Sequence, residues 1–167
     1  MALETVPLGK VSNGQALVLF VPTIANPAAP TIAELTAGTV KKITYSATGD
    51  GYKHTRAITK VRANRFTLAQ EIQYDGTVVD DVTITYAYTN TAGDVVRLAL
   101  TKGVSGFLVE RWAVDNSVAI AAAQIVHVIP ITASESIPDA PVKDQELTRT
   151  LVCNVSGTVL MDVAVAA

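Results

Sequence analysis

The half of the chain from Val78 onward is a nearly continuous succession of β-strand patterns, almost empty of residues that carry chemistry. Alternation of apolar and polar positions marks half-buried strands. Each strand also brings a row of backbone donors and acceptors that must be paired. Such a chain is expected to be a building block before it is expected to be a catalyst.

At 167 residues the chain can bury roughly two thirds of the surface its unfolded form exposes, without a disulfide or metal staple. Hydrophobic residues make up 49% and charged residues only 17%, more apolar material than a monomer of this size must hide. Self-association is therefore expected. The net charge is −2, and the scattered Lys and Arg residues form no basic stripe of the kind phosphate binding requires, so specific nucleic-acid binding is not expected. Cys153 shares a strand phase with Leu151 and Val155 and reads as a core thiol. No basic segment followed by an apolar run opens the chain, and no stretch approaches the ~20 apolar residues of a membrane span. Synthesis and folding in a cytoplasm, with no membrane partner, are expected.

The patterns are read in chain order. Residues 1–14 are polar and turn-forming, an N-terminal arm closed by Asn13-Gly14. Residues 16–21 are a short apolar strand stopped by Pro22. Residues 22–38 form a long loop with Pro27, Pro30 and one helical turn at 31–35; a connection of that length commonly binds neighbours. Residues 39–47 alternate as a strand that breaks at a flexible tip, Gly49-Asp50-Gly51. Residues 53–61 carry His54, Arg56 and Lys60 on one phase, as an edge strand guarded by charge. Phe66, Leu68, Ile72 and Tyr74 keep one phase, Asp75-Gly76 supplies turn residues, and Val82, Ile84, Tyr86 and Tyr88 resume alternation, which predicts a hairpin. Val95, Leu98, Ala99 and Lys102 fall at helical spacing between Asp94 and Gly103, which predicts one short helix. Residues 107–112, 119–131, 147–156 and 158–165 read as four further strands, with Ser156-Gly157 turning the last two into a hairpin. Residues 124–131 are apolar at almost every position, so both faces of that strand need cover.

Catalytic constellations are missing from this pattern. His54 and His127 lie apart in sequence, His127 reads as a hydrogen-bonded core or interface residue, and no clustered ligands suit a metal. Gly103-Val104-Ser105-Gly106 lacks the spacing of a nucleophile elbow. Asp80 and Asp81 are adjacent on a strand and point to opposite faces, so they cannot act jointly as acid and base; a solvated turn or strand start is expected there. Asp50 between two glycines lacks the oxygen ligands of a calcium loop. No enzyme, cofactor or metal site is expected.

The order of elements resembles the tail tube protein, or major tail protein, of long-tailed bacteriophages, especially those infecting actinobacteria. The residues that carry the resemblance are PTIAELTAG at 30–38, the strand at 82–88, GFLVER at 106–111, the strand at 125–130, and VSGTV at 155–159 with Val163-Ala164. It implies a mainly β fold, a β-sandwich or split barrel with one short flanking helix, and a single tail tube domain over 1–167. It also implies self-assembly into hexameric rings stacked as the conduit for genome ejection. The implied partners are copies of itself, a tape-measure protein, a tail terminator and distal tail or baseplate proteins, with DNA only in non-specific transit. The implied location is the virion tail, assembled in the host cytoplasm.

On that reading Pro27, Pro30, Glu34, Gly49, Asp50 and Gly51 are candidate inter-ring contacts, together with the chain ends. Glu71, Asp80 and Asp81 are candidates for an acidic bore that repels phosphate. The rival readings are an inner-tube subunit of a contractile injection system and a β-sandwich carbohydrate-binding or adhesion module. The second is disfavoured by a single tryptophan, Trp112, and by aromatics at 5% of residues.

Overall fold

The computed structural model describes residues 6, 8–67 and 69–167. Its elements are β1 (Ala16–Val21), α1 (Ile32–Thr36), β2 (Lys41–Lys42), β3 (Ala47–Ala63), β4 (Ile72–Ala87), α2 (Val95–Ala99), β5 (Ser105–Trp112), β6 (Ile125–Ala133), β7 (Ile137–Pro138), β8 (Thr148–Val155) and β9 (Leu160–Ala164). The fold is mainly β, with two short helices beside one open sheet. Hydrogen-bonded neighbours run β2-β1-β5-β6-β8-β4-β3, with β7 on β8 and β9 on β6. Every strand pair is antiparallel.

Alternation within strands builds two cores. Val18 and Phe20 of β1, Leu108 of β5, Ile129 and Ile131 of β6, Leu151 and Cys153 of β8 and Val82, Ile84 and Tyr86 of β4 share one cluster. Strands from distant positions in the sheet order meet there, so the sheet curls on itself as a split barrel. The other phase of β1, β5 and β6 places Leu17, Leu19, Val21, Val109, Val126 and Val128 in a second cluster, covered by Leu35 of α1 and by Val165. Strand β6 is thus buried on both faces, as its unbroken apolar run requires. Burial pushes the Cys153 thiol up to about 12, so it packs as a hydrophobe.

Gly106 shows how tightly the first core closes. A Cβ there would lie 2.6 Å from the Phe20 ring and 2.9 Å from the Val21 carbonyl oxygen, and the carbonyl belongs to the paired β1 backbone and cannot retreat. Gly106→Ala is expected to destabilise by about 1–3 kcal/mol, the usual range for overpacking. Chemical denaturation checks it, and an unchanged midpoint would show that the strands separate freely there.

Several expectations are corrected. The strand expected at 39–47 shrinks to Lys41–Lys42, because the chain turns at 44–46 to bury Ile43 in the first core while Tyr45 stays exposed. Gly49-Asp50-Gly51 is no tip. It lies inside β3, where the register passes from Ala47↔Tyr86 to Tyr52↔Ile84 and four residues oppose the single Thr85. Gly51 is buried there, and a Cβ would meet the Thr85 carbonyl oxygen at 2.1 Å.

Asp75-Gly76 is likewise no turn. The register shift between Ile58↔Val78 and Lys60↔Asp75 places a bulge at Gly76-Thr77, and the chain reverses through residues 64–71. Phe66 therefore lies in a connection, and Leu68 lies outside the described residues. The strand expected from 119 begins at Ile125, because Ala119 gives its carbonyl to Arg111. Strands β8 and β9 do not pair as a hairpin: both join β6, at Ile131–Ala133 and at Ile125–Val128 respectively. At their junction Ser156 N–H donates to the Pro130 carbonyl.

The helical turn expected at 31–35 is α1, fixed by a capping box between Thr31 and Glu34. The helix expected after Asp94 is α2. Asp94 makes no side-chain cap bond there. Its carboxylate accepts instead from Thr89 N–H, Thr89 Oγ1 and Arg97 Nε, and those bonds, Thr89 foremost, hold it down at about 2.

Candidate assembly interface

Strand β4 pairs with β8 only over Asp81–Ala87. Its other half, from Ile72 to Asp80, pairs only with β3, so residues 57–63 and 72–79 project from the sheet as a two-stranded ribbon roughly 25 Å long. Cross-strand partners share a face. One face of the ribbon carries Ala57↔Val79, Val61↔Tyr74 and Ala63↔Ile72. The other carries Arg56↔Asp80, Ile58↔Val78 and Lys60↔Asp75. That second face is laced by ion pairs: Arg56–Asp80, Lys60–Asp75 and Arg62–Glu71. The ribbon is amphipathic. Val61 and Tyr74 on the apolar face are each 56% exposed, and Phe66 at the tip is fully exposed.

The base of the ribbon is fastened to the barrel by a polar chain. Glu110 on β5 is 2% exposed on the inward phase, where an acid needs protein donors. Its carboxylate accepts from the Tyr52 hydroxyl, from His54 Nδ1 at 3.1 Å and from Trp112 Nε1 at 3.2 Å. The other ring nitrogen of His54 lies 3.2 Å from Asp80 Oδ1, and Arg56 grips Asp80 at both oxygens, at 2.7 and 3.1 Å. Burial, and then the Glu110 charge, pushes the Tyr52 hydroxyl well above its usual range, so it remains a donor. The Arg56 bond holds Asp80 below the usual carboxylate range. Strand β3 is thereby tied to both β4 and β5 at the point where the ribbon leaves the body.

The expected site residues fall in three places. Pro27 is half-buried, and Pro30 is buried, with its carbonyl accepting from Ala166 N–H, so Pro30 presents no side chain for a contact. Glu34 accepts from Ala25 N–H at 2.7 Å and from Thr31 N–H and Oγ1, each at 2.8 Å, fastening the long loop to α1. These bonds, Ala25 first, lower the Glu34 carboxyl. Gly49 and Asp50 are exposed in the β3 bulge and Gly51 is buried there, so removing 49–51 would flatten the bulge, leaving Thr48 opposite Thr85, instead of trimming a tip. Asp80 and Asp81 do point to opposite faces, but Asp80 is a paired, nearly buried acid and not a solvated one. Asp81 is exposed on the outer face, and Glu71 sits at the foot of the tip connection.

The alternation did not point to Glu110 or to its union with His54. One clue was present: Glu110 and Arg111 are consecutive charges inside an apolar strand, and strand geometry buries one on each face. His127, expected as a hydrogen-bonded core or interface residue, is half-buried and accepts from Asp162 N–H at 3.1 Å. It lines a groove of about 500 Å³ with Tyr52, His54, Glu110, Trp112 and Met161. Among the described residues, no three His, Cys, Asp or Glu side chains are grouped to hold a metal ion.

A family model described as phage tail tube protein matches residues 4–167. The chain belongs to that family. It is a family of structural proteins, and membership makes this chain a component of the virion tail. The fold is similar to a chain in the cryo-EM structure of the anti-feeding prophage baseplate, 6-fold symmetrised, with a TM-score of 0.56 at 10% identity, covering 95% of this tail tube protein and 98% of that chain. At that identity the likeness concerns the fold alone. No curated protein matches the chain.

Proposed function

We propose that this tail tube protein assembles with copies of itself into stacked hexameric rings, and that the resulting hollow tube is the conduit for genome ejection. The observation that carries the reading is the ribbon. A two-stranded ribbon alone in water is marginally stable at best. This one has an ion-paired face suited to solvent and an apolar face suited to another protein surface. A second copy supplies that surface, and repetition of one head-to-tail contact closes into a ring. In this reading the tube forms in the host cytoplasm, and the tape-measure protein, tail terminator and distal tail proteins meet its lumen and ends.

Of the acidic residues considered for an acidic bore, Asp81 is the exposed one on the body of the sheet, in a wall that is near-neutral instead of acidic. It stands on the outer face of β4, beside Lys53 and Thr83, where neither sign of charge prevails. A near-neutral polar wall gives phosphate no sustained attraction. Trp112 does not serve as a carbohydrate platform, since its ring packs on Tyr52 at 6.3 Å and its Nε1 is committed to Glu110. The likeness to a baseplate chain supports an inner-tube subunit of a contractile particle as a second reading, distinguished by whether the tube binds a sheath protein.

The test is negative-stain microscopy of the wild type beside the double variant Val61→Lys, Tyr74→Asp, whose opposite charges face each other across the ribbon. Wild type is expected to form rings or tubes. The variant is expected to remain dispersed, with its melting temperature within about 2 °C of wild type, because exposed positions contribute little to the isolated fold. A wild type that stays solitary at high concentration overturns the reading.

A further inference from the structure

A second apolar surface lies at the other end of the strand order. Leu17, Leu19, Leu35, Val40 and Ile120 line a groove of about 370 Å³ beside β1 and α1, and Lys42 is its only charged lining residue. Lys42 shares a face with Leu19 and, among the described residues, makes no ion pair within the chain; its ammonium lies over the Tyr45 ring. An open aliphatic groove with one cation at its rim suits an apolar segment flanked by acids.

Many described segments expose apolar side chains to solvent, Leu98, Ile137 and Val152 among them, and three of the irregular, charge-bearing ones lie outside the groove lining. The arm presents Leu8 and Val11 beside Lys10, and the ribbon tip presents Phe66 directly after Arg65. The third, between β7 and β8, is exposed at every position from 141 to 147. It presents Val142 and Leu147 at 56% and 54% exposure, with Asp144 and Glu146 between them. The first two bring positive charge toward Lys42; the third, with Lys143 its only cation, brings a net negative charge. Like charges at an interface cost affinity and opposite charges fix its register.

Resting on the self-assembly proposed above, we infer that residues 141–147 of one copy seat in the β1–α1 groove of the next, with Val142 against Val40 and Ile120 above the buried leucines and Asp144 or Glu146 on Lys42. Donor and acceptor surfaces are different patches of the same chain, so the contact is heterologous and propagates from copy to copy. The β7–β8 connection becomes a segment that binds neighbours, and it meets the end of the 22–38 loop, where Leu35, Thr36 and Ala37 line the groove.

The experiment combines charge exchange with cross-linking. Lys42→Glu alone, and Asp144→Lys with Glu146→Lys, are each expected to raise the concentration needed for assembly about tenfold, and the combined variant to recover most of it. Val40→Cys with Val142→Cys is expected to give an intermolecular disulfide ladder on oxidation of assembled material, and neither single variant should; Cys153 is buried and stays out of the reaction. Normal tubes with no ladder and no charge rescue overturn the pairing while leaving self-assembly standing. A disulfide confined to monomers, or a ladder from Val40→Cys with Phe66→Cys in place of Val142→Cys, overturns it in favour of another occupant. A wild type that never assembles overturns both proposals.

Discussion

Glu110→Ala is expected to lower the melting temperature by about 10 °C, the shift that a loss of ~3–5 kcal/mol produces in a domain of this size. The loss exceeds that of one hydrogen bond because three donors converge on this carboxylate. Alanine leaves the Tyr52 hydroxyl, His54 Nδ1 and Trp112 Nε1 facing one another without an acceptor, and Tyr52 and His54 have little water to turn to. Unpaired buried donors incur the full desolvation cost. Glu110→Gln keeps one acceptor oxygen and points an amide N–H toward other donors, so its effect should be intermediate. Because Glu110 joins β5 to the base of the ribbon, hydrogen exchange should accelerate at residues 52–58 before the rest of the sheet. Tube formation should then weaken even at temperatures where the variant remains folded. A melting point within 2 °C of wild type would show that the cluster carries no stability and that the ribbon is held by β4 alone.

The same cluster shows where local patterning stops being informative. β1, β5, β8 and the end of β6 were legible because one phase of each is apolar and the flanking Pro or Gly residues are punctuation. Gly49-Asp50-Gly51 and Asp75-Gly76 were legible as departures from regular strand but not as to kind. Glycine permits a tight turn and also the close backbone approach of a bulge, and only the cross-strand neighbour decides between them. At Gly51 that neighbour is the Thr85 carbonyl, and at Gly76 it is the Thr59 side chain; both contacts become evident only once β3 and β4 are in register. The ribbon was hidden for the same reason. Placing its turn at 75–76 split β4 in two and left residues 57–63 without a partner. The Glu110 cluster joins residues 56 and 58 positions apart in sequence, and no period carries such information. The charged phase of β3 was legible, but its partners were not.

Arg111→Met should cost as much as loss of Glu110, on the opposite face of the same strand. The Arg111 guanidinium is 1% exposed, and burial pushes its pKa down. Among the described residues no carboxylate pairs with it directly. Nη1 donates to the Ala119 carbonyl at 3.3 Å and to Gln124 Oε1 at 3.0 Å, and Nη2 to the Asp115 and Val118 carbonyls, each at 2.9 Å. One side chain therefore gathers residues 115–124, which have no strand of their own, into a fixed loop. Methionine fills a similar volume and leaves those acceptors unpaired, for an expected loss of about 3–5 kcal/mol. Lysine should rescue little, because a single ammonium cannot reach carbonyls spread around a planar fork. Exchange should rise first at the Val118 and Gln124 amides, whose own bonds lie within this loop. The loop also forms one wall of the groove beside Lys42. Disordering it should impair assembly beyond the loss of stability, and a Met variant that melts early yet forms tubes at the wild-type concentration would separate the wall from the contact.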